Sequence, residues 1–464
     1  MSIRFTLNGQ VIEAREFDPN TTLLSFLRAR GLTGTKEGCG EGECGACAVV
    51  LVRRDADGRA RYEPVNGCLF LLGSCADQEI VTVEGVARNG QLHPVQAALV
   101  ERAGSQCGYC TPGFVMSLFA EYYRPDRDGY DPEAIGGNLC RCTGYRPIAD
   151  VAKGLGRPEE SDAFHRRLAL APPELGAVAH VSGHGRFLRP RTLSDALTLW
   201  RAHRDAILVA GGTDLVVEVN QRHRRIETWL SLENVAELRG FSWDAERVRI
   251  GAGLSLSDLE HRVRGRLPML EQLLPLFSSR LIRNRATLGG NLMTASPIGD
   301  SAPALLALDA EVELTSLDGS RSVPLSEFFV GYRKTCASPG EILSAVTLPL
   351  PLPSVQRFYK VSKRAMDDIS TVSAGFSLRL AEDRSIESAR LAYGGVAATP
   401  ARALEAEEFL KGKTLALTRA RELEPILAKT FQPLSDQRGS AEYRRQMLVR
   451  LLEKFCFEVE GSPS

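Results

Sequence analysis

No stretch of this chain approaches the roughly 18 continuous apolar residues that a membrane span requires. Its first residues, MSIRFTLNGQVIEAREF, alternate apolar with polar and lack the apolar run of a secretion signal. The expectation is a cytoplasmic protein with no membrane association. An excess of one charge is also missing. Lys+Arg and Asp+Glu each number 57, so nothing basic points to nucleic acid and nothing acidic to a disordered tail. Histidine is scarce, with seven in 464 residues. None sits in an H-E-x-x-H or triad-like setting, and G-x-S-x-G is absent, so no catalytic residue for hydrolysis or hydroxylation is assigned. No solenoid-type repeat is present.

What the chain does have is cysteine, unevenly placed. Nine of its eleven cysteines precede residue 143, and only Cys336 and Cys456 follow. Disulfides are rare in a reducing compartment, so grouped cysteines there lean towards metal binding or catalysis. Cys39, Cys44 and Cys47 are spaced C-x4-C-x2-C in the glycine-rich loop KEGCGEGECGACAVVLVRR, the plant-type ferredoxin spacing for a [2Fe–2S] cluster. The fourth ligand is Cys68 or Cys75; the turn-like VNGCLF favours Cys68, and Cys75 reads as a buried thiol, as do Cys336 and Cys456. A second set joins a C-x2-C pair, Cys107 and Cys110, to a C-x-C pair, Cys140 and Cys142. Taken alone these four thiols suit zinc as well as iron–sulfur. Beside a ferredoxin-type loop, two cluster sites make an electron relay.

At about 150 residues per domain the chain has room for about three, and the pattern predicts a multidomain α+β protein. Residues 1–85 read as a small ferredoxin-like unit with a hairpin at Asn8-Gly9 and a helix LLSFLRAR closed by Gly31. Residues 86–156 read as helical, with Pro94 and Pro112 opening helices and DPEAIGGNL and RPIADVAKGL adding two more. A linker is expected over 157–182, a strand-and-helix domain over 183–345 and a smaller α+β domain over 346–464. AILVAGGTDLVVEVN, WLSLENV and VRIGAGLSLSDLE read as strands with glycine turns, LPMLEQLLPLFS as an apolar helix, and TLGGNLMTASPIGD as a long loop before a further helix.

One-electron clusters need a converter if the final acceptor takes a hydride, and flavin is the usual one. The turn LVAGGTDL, residues 208–215, sets paired glycines after an apolar strand, where amides reach a pyrophosphate. It lacks G-x-G-x-x-G, and a plain strand–turn is its alternative. TLGGNLMTASPIGD gathers glycines, hydroxyls and Asp300 in one segment.

GCGEGECGACAV together with QCGYCTPG…GNLCRCTGYRP resembles the two [2Fe–2S] domains of the molybdenum hydroxylase family, which includes xanthine dehydrogenase and aldehyde oxidase. AGGTDL, GGNLMTASPIGD and YGGVAATPARALEAEEFL resemble its vanillyl-alcohol-oxidase-type FAD domain and the C-terminal domain that follows. The resemblance implies a β-grasp ferredoxin domain and a four-helix [2Fe–2S] domain. It gives Cys39, Cys44, Cys47 and Cys68 to one cluster and Cys107, Cys110, Cys140 and Cys142 to the other. It implies FAD contacts at Leu208, Val209, Ala210, Gly211, Gly212, Thr213, Asp214 and Leu215. Further contacts are implied at Thr287, Leu288, Gly289, Gly290 and Asn291, at Asp300, Leu343 and Lys360, and at Phe277 against the isoalloxazine ring. Phe277 ends an apolar run and reads equally as helix core.

FFVGYRKT and KRAMDDIS most resemble the xanthine dehydrogenase branch, which implies Tyr332, Asp367 and Asp368 near the flavin face where NAD+ approaches. The bland reading of the acid pair is a solvated turn. By the resemblance, a separate molybdopterin-binding large subunit oxidises hypoxanthine and xanthine to urate, and the assembly is a dimer of heterodimers. This chain would pass the electrons on to NAD+. An aldehyde or other N-heterocycle dehydrogenase fits the same front half, and a zinc-stapled binding module without redox role is the reading from another class.

Overall fold

The computed structural model describes residues 2–55 and 57–460. The chain divides into two compact units. One comprises residues 1–236 with 255–258 and 278–286, the other 237–254, 259–277 and 287–464.

The first unit opens with β1 (Ile3–Leu7) and β2 (Gln10–Ala14), turned at Asn8 and Gly9, whose φ values of 51° and 81° suit a two-residue hairpin. Helix α1 (Leu23–Ala29) starts where the Thr22 hydroxyl accepts from the Ser25 amide, and ends before Gly31 at φ 82°. With β3 (Ala48–Arg54), β4 (Ala60–Asn66) and β5 (Glu79–Val81) the strands form one mixed sheet, order β2-β1-β5-β3-β4, with β1 and β5 parallel. This is the expected β-grasp. The apolar run on β3 has a reason: Val49 and Leu51 pack in the core that holds α1, while Val50 and Val52 pack in the core of the helical module. A strand covered on both faces needs no polar alternation.

That module holds α2 (Pro94–Glu101), α3 (Thr111–Tyr122) and α4 (Arg146–Gly154), with Pro94 and Pro112 at helix starts as expected. DPEAIGGNL gives only a single 3-10 turn, Pro132–Ile135, because Gly136 and Gly137 follow at once. The segment expected to be a linker is built in. Asp162 caps α5 (Ala163–Arg167), and Phe164 is 6% exposed within the module's core.

A four-stranded sheet completes this unit, order β6-β7-β9-β8: β6 (Val178–Ser182), β7 (Gly185–Arg189), β8 (Ile207–Val209) and β9 (Thr228–Ser231), with helices α6 (Leu193–Ala202) and α7 (Leu215–Arg222). Strand β6 begins inside the presumed linker. DLVVEVN, expected as strand, is α7: Val216 is fully buried and Val219 falls three residues on, on the same face. The run of β-branched residues concealed a helical period.

In the second unit a five-stranded antiparallel sheet has Ile342–Pro349 at its centre, between Arg247–Gly251 and Glu311–Ser316. SLSDLE leaves the strand pattern and enters the helix Leu256–Val263. LPMLEQLLPLFS splits at Pro275 into Pro268–Leu273 and a 3-10 turn. TLGGNLM is no loop: Thr287 caps a short helix, Leu288–Met293, through the Gly290 amide at 3.0 Å. The C-terminal part is an antiparallel sheet of Val355–Val361, Val372–Leu380, Ile386–Gly394 and Ala401–Arg402. Its strands share a core with helices that end in Ala441–Glu460.

A buried polar chain ties α5 to the helical module. Tyr123 Oη donates to Asp162 Oδ2 at 3.0 Å, so His93 Nε2 must donate to Tyr123 Oη at 2.8 Å, leaving His93 Nδ1 to accept from the Val95 amide. Burial, joined by the nearby Arg88 charge and opposed by Asp162, pushes His93 down to about 4. Below pH about 6.5 the unfolded chain takes up a proton that the folded one refuses, so this residue's contribution is full above about 6.5 and lost as pH falls towards 4. Wild type is therefore expected to lose more Tm over that window than His93→Asn, which keeps a helix-capping side chain. Parallel Tm–pH curves for the two proteins would contradict the assignment.

Candidate functional site

The ferredoxin loop folds around its own thiols. Cys39 Sγ accepts the amides of Glu41 and Cys44 at 3.4 Å each. The Cys44 thiol's hydrogen bond, then these amides and that of Glu43, outweigh burial and hold Cys39 down at about 5. Cys44 is pushed up as the donor of the pair, and Cys68 is raised first by its bond to Cys47 and then by burial. In the second set Cys142 meets Cys107 at 3.2 Å and Cys110 meets Cys140. Against burial, the hydroxyl and amide of Thr143 lower Cys140.

The thiols thus come together as pairs: Cys39 with Cys44, Cys47 with Cys68, Cys107 with Cys142 and Cys110 with Cys140. Two pairs per site is what two irons need, each taking two thiolates and sharing the bridging sulfides. One zinc would draw all four to a single centre. Among the described residues no three His, Cys, Asp or Glu side chains are placed to hold one ion. The donor sets fit two [2Fe–2S] clusters. Cys75, fully buried and directed at the Leu71 carbonyl, stands apart.

The two cysteine loops are in contact. The Leu139 amide donates to the Cys44 carbonyl at 3.0 Å, and Asn138 Nδ2 to the Gly45 carbonyl at 3.1 Å. Gly45 has φ 63°, and a Cβ there would lie 2.3 Å from the Gly137 carbonyl; one on Gly113 would lie 2.2 Å from the Gly45 carbonyl. From the other side α7 supplies Asn220, whose Nδ2 donates to the Gly40 and Cys68 carbonyls at 2.8 Å each, and Gln221, which donates to the Cys39 carbonyl at 2.5 Å. Exposure differs between the sites. Cys47 and Cys68 are buried, whereas Cys107 and Cys142 are exposed, as are Tyr109 and Tyr145, close to them in sequence.

The turn between β8 and α7 holds residues 208–215. Among the described residues the amides of Gly211, Gly212, Thr213 and Asp214 donate to no carbonyl or side chain, and α7 has no side-chain cap. Four successive free amides at a helix start make an anion cradle that fits a pyrophosphate. The glycines also serve packing, since a Cβ on Gly211 would lie 1.9 Å from the Arg285 carbonyl.

In the second unit Lys360 Nζ donates to Asp300 Oδ2 and to the Leu276 carbonyl, both at 2.8 Å, and the Ser370 hydroxyl donates to Asp300 Oδ1. Asn291 Oδ1 accepts from Ser301. Phe277, directly after Leu276, is half-buried and so is not helix core. Leu343 is 5% exposed on the central strand of the five-stranded sheet, its side chain in the core. Tyr332 is 62% exposed on a hairpin turn. The acid pair is not the solvated turn of the bland reading: Asp367 is 4% exposed at φ 51°. Burial opposes ionisation of Asp368, yet the amides of Arg364 and Ile369 and the charges of Arg364 and Arg438 lower it.

Four family models match along the chain in order. They are a 2Fe-2S iron-sulfur cluster binding domain at 5–72, a [2Fe-2S] binding domain at 82–153, the FAD binding domain in molybdopterin dehydrogenase at 181–351 and the CO dehydrogenase flavoprotein C-terminal domain at 357–459. Xanthine dehydrogenase of Emericella nidulans is 33% identical over 99% of this chain, which spans 38% of that protein's length. The chain belongs to the molybdenum hydroxylase family. Among solved structures, reconstituted CO dehydrogenase from Oligotropha carboxidovorans superposes with a TM-score of 0.55 at 28% identity, over 59% of this chain and 96% of that one. Quinoline 2-oxidoreductase from Pseudomonas putida 86 gives 0.54 at 25%, over 58% and 94%. The chain therefore carries the family's two [2Fe–2S]-binding domains and its FAD-binding and C-terminal flavoprotein domains.

Several residues hydrogen-bonded to the cysteine loops or to Asp300 escape a sequence reading. Asn138, next but one to Cys140, and Asn66, two before Cys68, lie close enough to the ligands to attract notice; Asn66 Nδ2 donates to the Gly42 carbonyl. Tyr145, at φ 67°, accepts the Cys140 amide at 2.9 Å. Asn220, Gln221 and Ser370 carry no local signal. The choice of fourth ligand is testable. Cys68→Ser is expected to reduce iron from about four to about two per chain, with loss of one cluster's EPR signal, while Cys75→Ser keeps about four. Loss of a cluster in the Cys75 variant alone would reverse the assignment.

Proposed function

We propose that this chain is the electron-transfer part of a xanthine dehydrogenase, delivering to NAD+ the electrons taken from hypoxanthine and xanthine at a molybdenum centre on a partner chain. The observation that carries the reading is the unbroken protein contact from one cysteine set to the flavin turn. When bound, the clusters supply one-electron steps and FAD converts them to hydride chemistry. Cys140 follows directly on Leu139, whose amide is bonded to the Cys44 carbonyl, and the Cys68 carbonyl is bonded to Asn220 on α7. At the start of α7 a Cβ on Gly212 would lie 3.2 Å from the Leu69 carbonyl.

Within this reading Cys39, Cys44, Cys47 and Cys68 hold the enclosed cluster, and Cys107, Cys110, Cys140 and Cys142 the exposed one. The free amides of Gly211–Asp214 receive the FAD phosphates. Thr287–Asn291, Asp300, Leu343 and Lys360 contact FAD, and Phe277 lies against its ring. Lys360 and Ser370 hold the Asp300 carboxylate in one orientation. The exposure of Cys107 and Cys142, with exposed Tyr109 and Tyr145 close in sequence, supports docking of a molybdopterin-binding large subunit, in a dimer of heterodimers. Likeness to the Emericella nidulans xanthine dehydrogenase favours the purine reading. Likeness to quinoline 2-oxidoreductase keeps another N-heterocycle as the second.

The full chain carrying its cofactors is expected to reduce artificial dyes with NADH and to leave xanthine untouched without the molybdenum chain. Inability of NADH to bleach the flavin would refute the NAD+ arm. Lys360→Met should weaken FAD retention about tenfold, the effect of losing one charged hydrogen bond, with iron content unchanged. Asp367→Ala with Asp368→Ala is expected to lower the ratio of NAD+ to oxygen turnover several-fold; an unchanged ratio would remove these acids from the NAD+ site.

A further inference from the structure

A cleft of about 800 Å³ opens in the first unit at the far end of α3, away from the Cys110 end of that helix. Three segments converge on it: the turn at Gly58 and Arg59, the stretch Tyr122–Arg127, and residues 157–172. Its volume lies in the ordinary range for small-molecule sites, about 300–1,000 Å³. Five arginines line it, against one acid, Glu160.

Not all of these charges are free. Arg124 pairs with Glu121 and Asp126, so it is accounted for. The other four have no carboxylate partner among the described residues. Arg127 donates to the carbonyls of Leu155 and Gly156 at 2.6 Å each, and Arg157 to the carbonyl of Arg127 at 3.4 Å. Those bonds fix the two guanidinium groups in place and leave their charge. The side chains of Arg59 and Arg166 are exposed and make no hydrogen bond or ion pair among the described residues. In a chain of zero net charge, four cations without an ion-pair partner, set against the single lining acid Glu160, focus a positive field into the concavity. An anion relieves this, and the planar guanidinium fork matches phosphate oxygens two at a time. Besides Glu160 and His165, the rest of the lining is largely apolar or aromatic, with Leu168, Leu170, Pro125 and Pro158 among its residues.

We propose that this cleft binds a small phosphorylated organic anion of nucleoside-diphosphate size, its phosphates on Arg59, Arg127, Arg157 and Arg166 and its organic body on the leucine and proline wall. The site is independent of the redox reading above.

The test is calorimetric titration of the full, cofactor-loaded chain with ADP and with inorganic pyrophosphate, at physiological salt. Both should bind, ADP more tightly. Arg59→Glu combined with Arg166→Glu should weaken both at least about tenfold, a change of about 1.4 kcal/mol. Because neither side chain holds the fold together, iron and FAD content and NADH–dye turnover should match wild type. Arg201→Glu, on the exposed side of α6, should bind as wild type does. The proposal falls if neither probe binds or if the double variant binds both as wild type does. Equal affinity for ADP and pyrophosphate, or binding of a glutamate-rich peptide in place of ADP, also overturns it.

Discussion

The carbonyls of Cys44 and Gly45 are each taken by the loop that leads into Cys140. Two hydrogen bonds and two glycines without room for a side chain bring a ferredoxin loop and a helical module together at their cysteines. The placement of both thiol sets follows from this contact. Any displacement of one module from the other would have to break bonds one residue away from a ligand. Covering β3 on both faces serves the same end, because the sheet that carries the first loop is also the floor of the helical core.

A second constraint acts through the short segment 278–286. Arg280 bonds to Asp131, Arg283 to Glu133 and Arg285 to Glu233, with Arg283 and Arg285 almost fully buried. Asn284 donates to the Pro64 carbonyl at 2.7 Å. Leaving one member of such a buried ion pair unpartnered costs about 3–5 kcal/mol. Phe277 and Thr287, the residues at either end, are both among those assigned to FAD. The segment between them is held by charge within the unit that holds the cysteines.

The metal chemistry was legible because cysteine spacing and glycine content are local properties. Two sets of four thiols could be anticipated from short motifs; which thiol meets which could not, since Cys107 meets Cys142 and Cys110 meets Cys140 across the two motifs. Prolines likewise marked the starts of α2 and α3. What escaped was encoded at a distance or against local propensity. The valines of α7 read as strand until the burial of Val216 shows the helix face. Asn220 reaches carbonyls 152 and 180 residues away, and no local pattern announces such a partner. The alternative of a solvated turn at Asp367 fails because the residue is 4% exposed at a left-handed φ of 51°. The Pro- and Ala-rich stretch after Arg157 lacked periodicity, and one phenylalanine with one aspartate was enough to fasten it.

The route of the chain has a consequence for inheritance. It leaves the first unit after Ala236, returns for 255–258, leaves, and returns once more for 278–286. A flavin domain acquired as one contiguous block would bring Arg280, Arg283 and Arg285 along with Glu233, but the acids that Arg280 and Arg283 meet, Asp131 and Glu133, lie in the helical [2Fe–2S] part. Exchange of modules between relatives at the 230s would thus succeed only where both parents place these charges alike. Two of the three pairs in this strut thus answer to the iron–sulfur part, and a graft must match them in charge as well as in fold.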